Sequence, residues 1–95
     1  MRFVSPETIR RRLVVHGKVQ GVFFRDSTRD AARNEGVAGF AINCPDGSVE
    51  VVLEGPREAV ESVAGYVRRG PSSARVENVE THDEAPEGLS GFEIR

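Results

Sequence analysis

Two β-rich runs, Val37 to Cys44 and Val49 to Glu54, flank the short segment Pro45-Asp46-Gly47-Ser48. An Asp-Gly pair between such runs supplies the left-handed backbone of a tight turn, so the two runs pair as an antiparallel hairpin. A hairpin cannot bury its own faces, and the segments on either side of it provide the cover. Upstream, Phe24, Thr28, Ala31 and Ala32 recur at i, i+4, i+7 and i+8, which predicts a helix with a narrow face of small side chains, ended by Gly36. That face lets the helix lie close to a sheet, and Asp30 and Arg33 are spaced for a surface pair. Downstream, Gly55-Pro56 opens a second helix with Val60, Val63, Ala64 and Val67 along one side, and Gly70-Pro71 stops it. Gly65 inside that helix costs about 1 kcal/mol relative to alanine, which reads as a point of close packing against a neighbour.

The remaining strands follow from alternation. From Arg12 to Val19, Leu13 and Val15 share one face while Val14 and His16 share the other. Val76 to Asp83 forms a fourth strand and Phe92 to Arg95 a short closing one, with Pro86 to Gly91 as loop. The resulting order, β-α-β-β-α-β, predicts a ferredoxin-like α+β sandwich. Its sheet is antiparallel, with two helices on one face and a short extra C-terminal strand. Right-handed crossovers place the first and third strands side by side in the centre and bring the loop after the first strand near the end of the second. Residues 1–10 lack periodicity and read as a loose N-terminal extension, leaving 11–95 as the domain. Arg10-Arg11-Arg12 reads as a solvated strand edge. His16 has no second metal-ligating residue at suitable spacing nearby and takes a structural or surface role.

The connection Gly17-Lys18-Val19-Gln20-Gly21-Val22-Phe23-Phe24-Arg25 leads from the first strand into the first helix. Two glycines four apart let the backbone turn tightly and approach a ligand, while the helix start adds unsatisfied N–H donors and a partial positive charge. Arg25 stands in the first turn, where the dipole disfavours a cation that lacks an anionic partner and where a guanidinium fork can take two phosphate oxygens. From the residues alone, two readings stand: an anion site, or a turn followed by an exposed arginine. Asn43, ending the first strand of the hairpin, likewise reads as a turn-initiating residue or as a functional amide.

The bulk properties narrow the field. At 95 residues the chain supports one domain with one core and a shallow site. A net charge of −2 argues against a general nucleic-acid binder. The charge is unevenly spread, however: residues 1–33 carry eight Lys/Arg against three acids, and the loop lies in that basic part. One cysteine excludes an internal disulfide and fits a reducing compartment. No run approaches the ~20 apolar residues of a membrane span and no signal-peptide pattern opens the chain, so a cytoplasmic location is expected.

Taken together, Val15-x-Gly17-x-Val19-Gln20-Gly21-Val22-x-Phe24-Arg25 and Gly39-Phe40-Ala41-x-Asn43-x-x-x-Gly47-x-Val49-x-x-x-x-x-Gly55 closely resemble the two signatures of the acylphosphatase family. The similarity runs from about Leu13 to Arg95. It implies hydrolysis of the carboxyl-phosphate bond of acyl phosphates to a carboxylate and inorganic phosphate, without metal or cofactor. Carried onto this chain, it implies that Arg25 binds the phosphate together with main-chain donors of Gln20, Gly21, Val22, Phe23, Phe24 and Arg25, and that Asn43 orients the attacking water. The implied partner is a small-molecule acyl phosphate, with neither nucleic acid nor membrane, and the chain acts as a monomer. An acyl phosphate already has a good leaving group, so positioning and charge stabilisation suffice and no activated nucleophile is needed. Cys44 has no arginine six residues on, so the Cys-x5-Arg phosphatase pattern fails and a small apolar role is expected.

Two positions depart from the family pattern: Ile42 stands where a polar residue is common, and Phe40 where tryptophan is commoner. By alternation both point away from the Asn43 face, so catalysis is expected to survive. Two other classes stay open, a non-catalytic anion or nucleotide sensor and an RNA-binding sheet. The second needs paired aromatics on the central strands, and Leu13, Val15, Val49 and Val51 are aliphatic.

Overall fold

The computed structural model describes residues 7–95. The elements run β1 (Thr8–Lys18), α1 (Phe24–Glu35), β2 (Ala38–Asn43), β3 (Val49–Pro56), α2 (Arg57–Arg69), β4 (Arg75–Glu84) and β5 (Phe92–Ile94). The sheet order is β4-β1-β3-β2-β5, with β1 and β3 central as the crossover argument requires. The pairs β1–β3, β1–β4 and β2–β3 are antiparallel, whereas β5 runs parallel to β2. The sheet is therefore mixed rather than wholly antiparallel, because the loop after β4 crosses the end of the sheet and re-enters on the far edge.

Alternation along the strands sets the core. Leu13, Val15, Val49, Val51 and Leu53 are fully buried beneath the helices with Val60, Val63, Ala64 and Val67 of α2 and Phe24 and Ala32 of α1. Leu13, Val15, Val49 and Val51 thus lie on the covered side, so any RNA-stacking surface would have to be the opposite face. The face away from the helices carries Val14, His16, Glu50 and Val52, with Phe40 opposite Val52. His16 there meets Glu80 at 2.6 Å, the structural role expected of it.

Four further expectations change. First, β1 begins at Thr8, so residues 8–10 belong to the sheet, while residues 1–6 of the expected extension lie outside the described residues. Arg10 carries the reason. It is 8% exposed, not solvated, and its guanidinium lies between Glu54 (3.6 Å), Glu84 (3.0 Å) and Glu87 (3.6 Å). Second, Arg33 does not pair with Asp30: it reaches the main-chain oxygen of Phe92 at 3.3 Å, and Asp30 sits 3.8 Å from Arg29. Third, Gly65 is not a close-packing point, since a Cβ there meets only Arg69 Nη1 of its own helix, at 3.9 Å. Fourth, Pro56 caps α2 from outside rather than opening it, a one-residue difference in where the helical hydrogen bonds begin.

Candidate active site

The end of β1 is bent by a packing constraint. The β1–β4 register slips between His16 and Gly17, and a Cβ at Gly17 would stand 2.1 Å from the main-chain oxygen of Arg75. Only glycine permits that approach, which turns the chain out of the sheet toward α1. The loop that follows alternates between anchors and exposed positions. Val19, Val22 and Phe24 are buried, whereas Gly21 and Phe23 face outward. Both outward residues have left-handed backbone, Gly21 at φ 73 and Phe23 at φ 60.

Two further ties hold the loop. The Gln20 side chain donates to the main-chain oxygens of Cys44 (2.7 Å) and Ser48 (2.9 Å), and Ser73 Oγ donates to the oxygen of Val22 (2.9 Å). The β2–β3 turn is itself fixed. Asp46 accepts from Ser48 N (2.9 Å) and Ser48 Oγ (2.6 Å), while Cys44 N donates to Ser48 O (2.9 Å) and Gly47 N to Cys44 O (3.1 Å). Those two bonds from Ser48 hold the Asp46 carboxyl below the usual carboxylate range. Asn43 stands directly before this turn, and Gln20 ties the loop to the turn at the next residue.

Ser27 is the first residue of α1 whose N–H enters the helical ladder, donating to Phe23 O at 3.0 Å. The N–H groups of Phe24, Arg25 and Asp26 consequently lack an intrahelical acceptor. Arg25 donates from Nη1 to the main-chain oxygen of Arg95 at 2.8 Å, which steadies the guanidinium and leaves Nε and Nη2 for another acceptor. Arg95 is in turn fixed by its N–H on Ala41 O (2.9 Å) and by its guanidinium, 4.0 Å above the Phe40 ring.

Val19, Gly21, Phe23, Arg25, Asp26 and Asn43 line a single open cavity of about 250 Å³. The residues singled out by sequence are thus divided. Gly21, Phe23, Phe24, Arg25 and Asn43 border the cavity, whereas Gln20 turns its side chain away as a brace and Val22 is a buried anchor. Asp26 on the rim is partly offset by Arg29 at 3.7 Å. Sequence reasoning missed the braces. Ser73 stands in a stretch whose only legible signal was helix termination, and Arg95 read only as the end of the closing strand, one residue past where that strand stops at Ile94.

A larger concavity of about 730 Å³ lies at the other end of the sheet, bordered by Ala38, Gly55, Gly88 and Phe92. The buried acid on its wall, Glu54, already accepts from the N–H groups of Glu87, Gly88 and Leu89 at 2.8, 2.8 and 2.7 Å. It offers a ligand no free buried charge. The free N–H groups at the start of α1 and the Arg25 guanidinium border the smaller cavity instead.

Residues 11–94 match the acylphosphatase family model. The chain belongs to the acylphosphatase family. It is 51% identical over 89 residues to an acylphosphatase of Natronomonas pharaonis, covering 94% of this chain and 97% of that one. Among solved structures, an acylphosphatase from Coxiella burnetii superposes with a TM-score of 0.88 at 35% identity, covering 93% of each chain. One from Bacillus subtilis gives 0.88 at 33% identity over 92% of this chain and 98% of that one. These acylphosphatases share the ferredoxin-like α+β fold, as the sequence predicted. Among the described residues no helix is long and apolar enough to cross a membrane.

Proposed function

We propose that the main-chain N–H groups of residues 20–25 and the Arg25 guanidinium hold the phosphoryl group of an acyl phosphate while Asn43 orients the attacking water. Hydrolysis of acyl phosphates is the reaction of the family to which the chain belongs. The observation that carries the residue roles is the shared cavity: Arg25, the unpaired donors at the start of α1, and Asn43 all border one space.

The chemistry needs little more. The water oxygen forms a bond to phosphorus as the bond between phosphorus and the carboxylate oxygen breaks, the electron pair leaving with the carboxylate. An acyl phosphate dianion and water thus give a carboxylate and dihydrogen phosphate, the protons of water remaining on phosphate. Negative charge on the phosphoryl oxygens is met by donors already in place, and the amide of Asn43 fixes the line of approach. No side chain acts as nucleophile. The same reading has the chain working as a cytoplasmic monomer on a small molecule, without metal, nucleic acid or membrane.

Turnover of benzoyl phosphate with and without a chelator tests it. The expected result is hydrolysis indifferent to chelation and inhibited competitively by inorganic phosphate or sulfate, since the loop suits a tetrahedral anion. Phosphate binding without turnover would make the chain an anion sensor instead, and activity lost on chelation but restored by a divalent ion would overturn the metal-free reading.

A further inference from the structure

Phe23 combines two unfavourable features at one position. Its side chain is 76% exposed, making it the one large apolar side chain left outside among the described residues, although Val22 and Phe24 on either side are buried. Its backbone, at φ 60 and ψ 25, is also the one positive-φ conformation of a non-glycine residue among them. Glycine or asparagine would make the same turn with less strain. Neither core packing nor loop geometry therefore asks for an aromatic ring there. An unneeded ring held out in a strained backbone points to a contact with something outside the fold.

The position says what that contact is. Phe23 borders the same cavity as Arg25 and Asn43. We propose that Phe23 is a specificity-determining residue whose ring forms an apolar wall for the acyl group of the substrate. This rests on the site roles proposed above. With the phosphoryl oxygens on the loop donors and Arg25, the acyl group leaves in line, opposite the water, and is the only part of the substrate outside the phosphate cradle. It passes the rim where the exposed ring stands. An aromatic or longer apolar acyl group gains face or edge contact with the ring, whereas an acetyl group offers one methyl. The favoured substrates are accordingly phosphates of aromatic or extended apolar carboxylic acids.

The test compares kcat/KM for benzoyl phosphate and acetyl phosphate in the parent, in Phe23→Asn, which accepts the left-handed backbone, and in Phe23→Tyr, which keeps the ring. A change in the phosphate loop alters both substrates alike and cancels in their ratio. The benzoyl-to-acetyl ratio is expected to fall about tenfold in Phe23→Asn and to return in Phe23→Tyr. An unaltered ratio in Phe23→Asn, with both compounds still hydrolysed, overturns the role of Phe23 and leaves the proposed reaction standing. Failure of the tyrosine variant to restore the ratio also overturns it. A parent that hydrolyses neither compound overturns the site roles and, with them, this inference.

Discussion

The side-chain amide of Gln20 donates to the main-chain oxygen of Cys44 at 2.7 Å, one residue beyond Asn43, and that bond joins the loop before α1 to the strand end that bears Asn43. A second bond to Ser48 O at 2.9 Å uses the remaining amide hydrogen. The two halves of the site come from segments with opposite demands, a loop that must turn sharply and a strand that must stay paired. Gln20 fixes one against the other.

Replacing Gln20 with leucine should therefore uncouple them. Cys44 O and Ser48 O each keep one main-chain donor, Gly47 N and Cys44 N, so the loss of stability is held to about 1 kcal/mol. Turnover of benzoyl phosphate should fall about 10- to 100-fold through misplacement of Asn43. Phosphate affinity, measured by calorimetry, should fall much less, and an equal fall in both would show that Gln20 serves the loop alone.

Arg25→Lys tests the fork. Arg25 spends one N–H on Arg95 O and presents the rest of a planar guanidinium toward the cavity. Lysine keeps the charge but cannot hold that tether and two phosphate oxygens in one plane. Activity should drop by roughly two to three orders of magnitude. A lysine variant as active as the parent would reduce Arg25 to a source of positive potential.

At the far end of the sheet, Glu54 predicts how the fold responds to acid. It is 3% exposed. Burial pushes its carboxyl up, but the N–H groups of Glu87, Leu89 and Gly88, together with Arg10, outweigh that push and leave it below the ordinary carboxylate value of 4.5. A lowered native pKa means that the ionised carboxylate stabilises the fold fully above the unfolded pKa, and that this contribution disappears as pH falls through the native one. Stability to urea should thus decline as pH drops below 4.5. Glu54→Gln should flatten that decline while costing about 3 kcal/mol at neutral pH, because Arg10 loses a buried partner. An unchanged pH slope in the glutamine variant would assign the acid response elsewhere.

Most of the fold was legible in the sequence because its signals are local. The Asp46-Gly47 turn, the 3.6-residue spacing of Val60, Val63, Ala64 and Val67, and the stop at Gly36 each act within a few residues. Arg10 was not legible, because its partners lie 44, 74 and 77 residues away, and a basic run with no visible partners looks like a solvated edge. Motif and topology singled out Arg25 and Asn43, which border one cavity. The supporting contacts of Ser73 and Arg95 were not, since each depends on a main-chain oxygen whose position only the folded chain defines.

Gly65 was misread for a related reason: a glycine inside a helix shows its cost locally, and its neighbours only in three dimensions. With nothing nearer a new Cβ than Arg69 Nη1 at 3.9 Å, Gly65→Ala should stabilise the protein by about 0.5–1 kcal/mol through a smaller loss of backbone entropy. In a domain of this size that is a rise in Tm of roughly 4 °C by calorimetry. A lower Tm would reveal a packing demand on that face of α2.

Substitution of Asn43 tests whether catalysis and binding separate. It ends β2, opposite Val49, and borders the cavity with Arg25. If its amide holds the water while Arg25 and the loop hold the phosphoryl group, Asn43→Ala removes a contact that matters in the transition state and spares the ground-state anion. Loss of such an orienting bond is worth about 3–4 kcal/mol by analogy with oxyanion-hole deletions, or roughly two to three orders of magnitude in kcat. Truncating a strand-end residue can also cost about 1 kcal/mol of stability, so the variant is first shown to be folded at the assay temperature. Phosphate titrated into it by calorimetry should bind nearly as tightly as to the parent. An unchanged kcat would make Asn43 a hairpin residue only, whereas a lost phosphate affinity would move it from the water side of the reaction to the phosphate cradle.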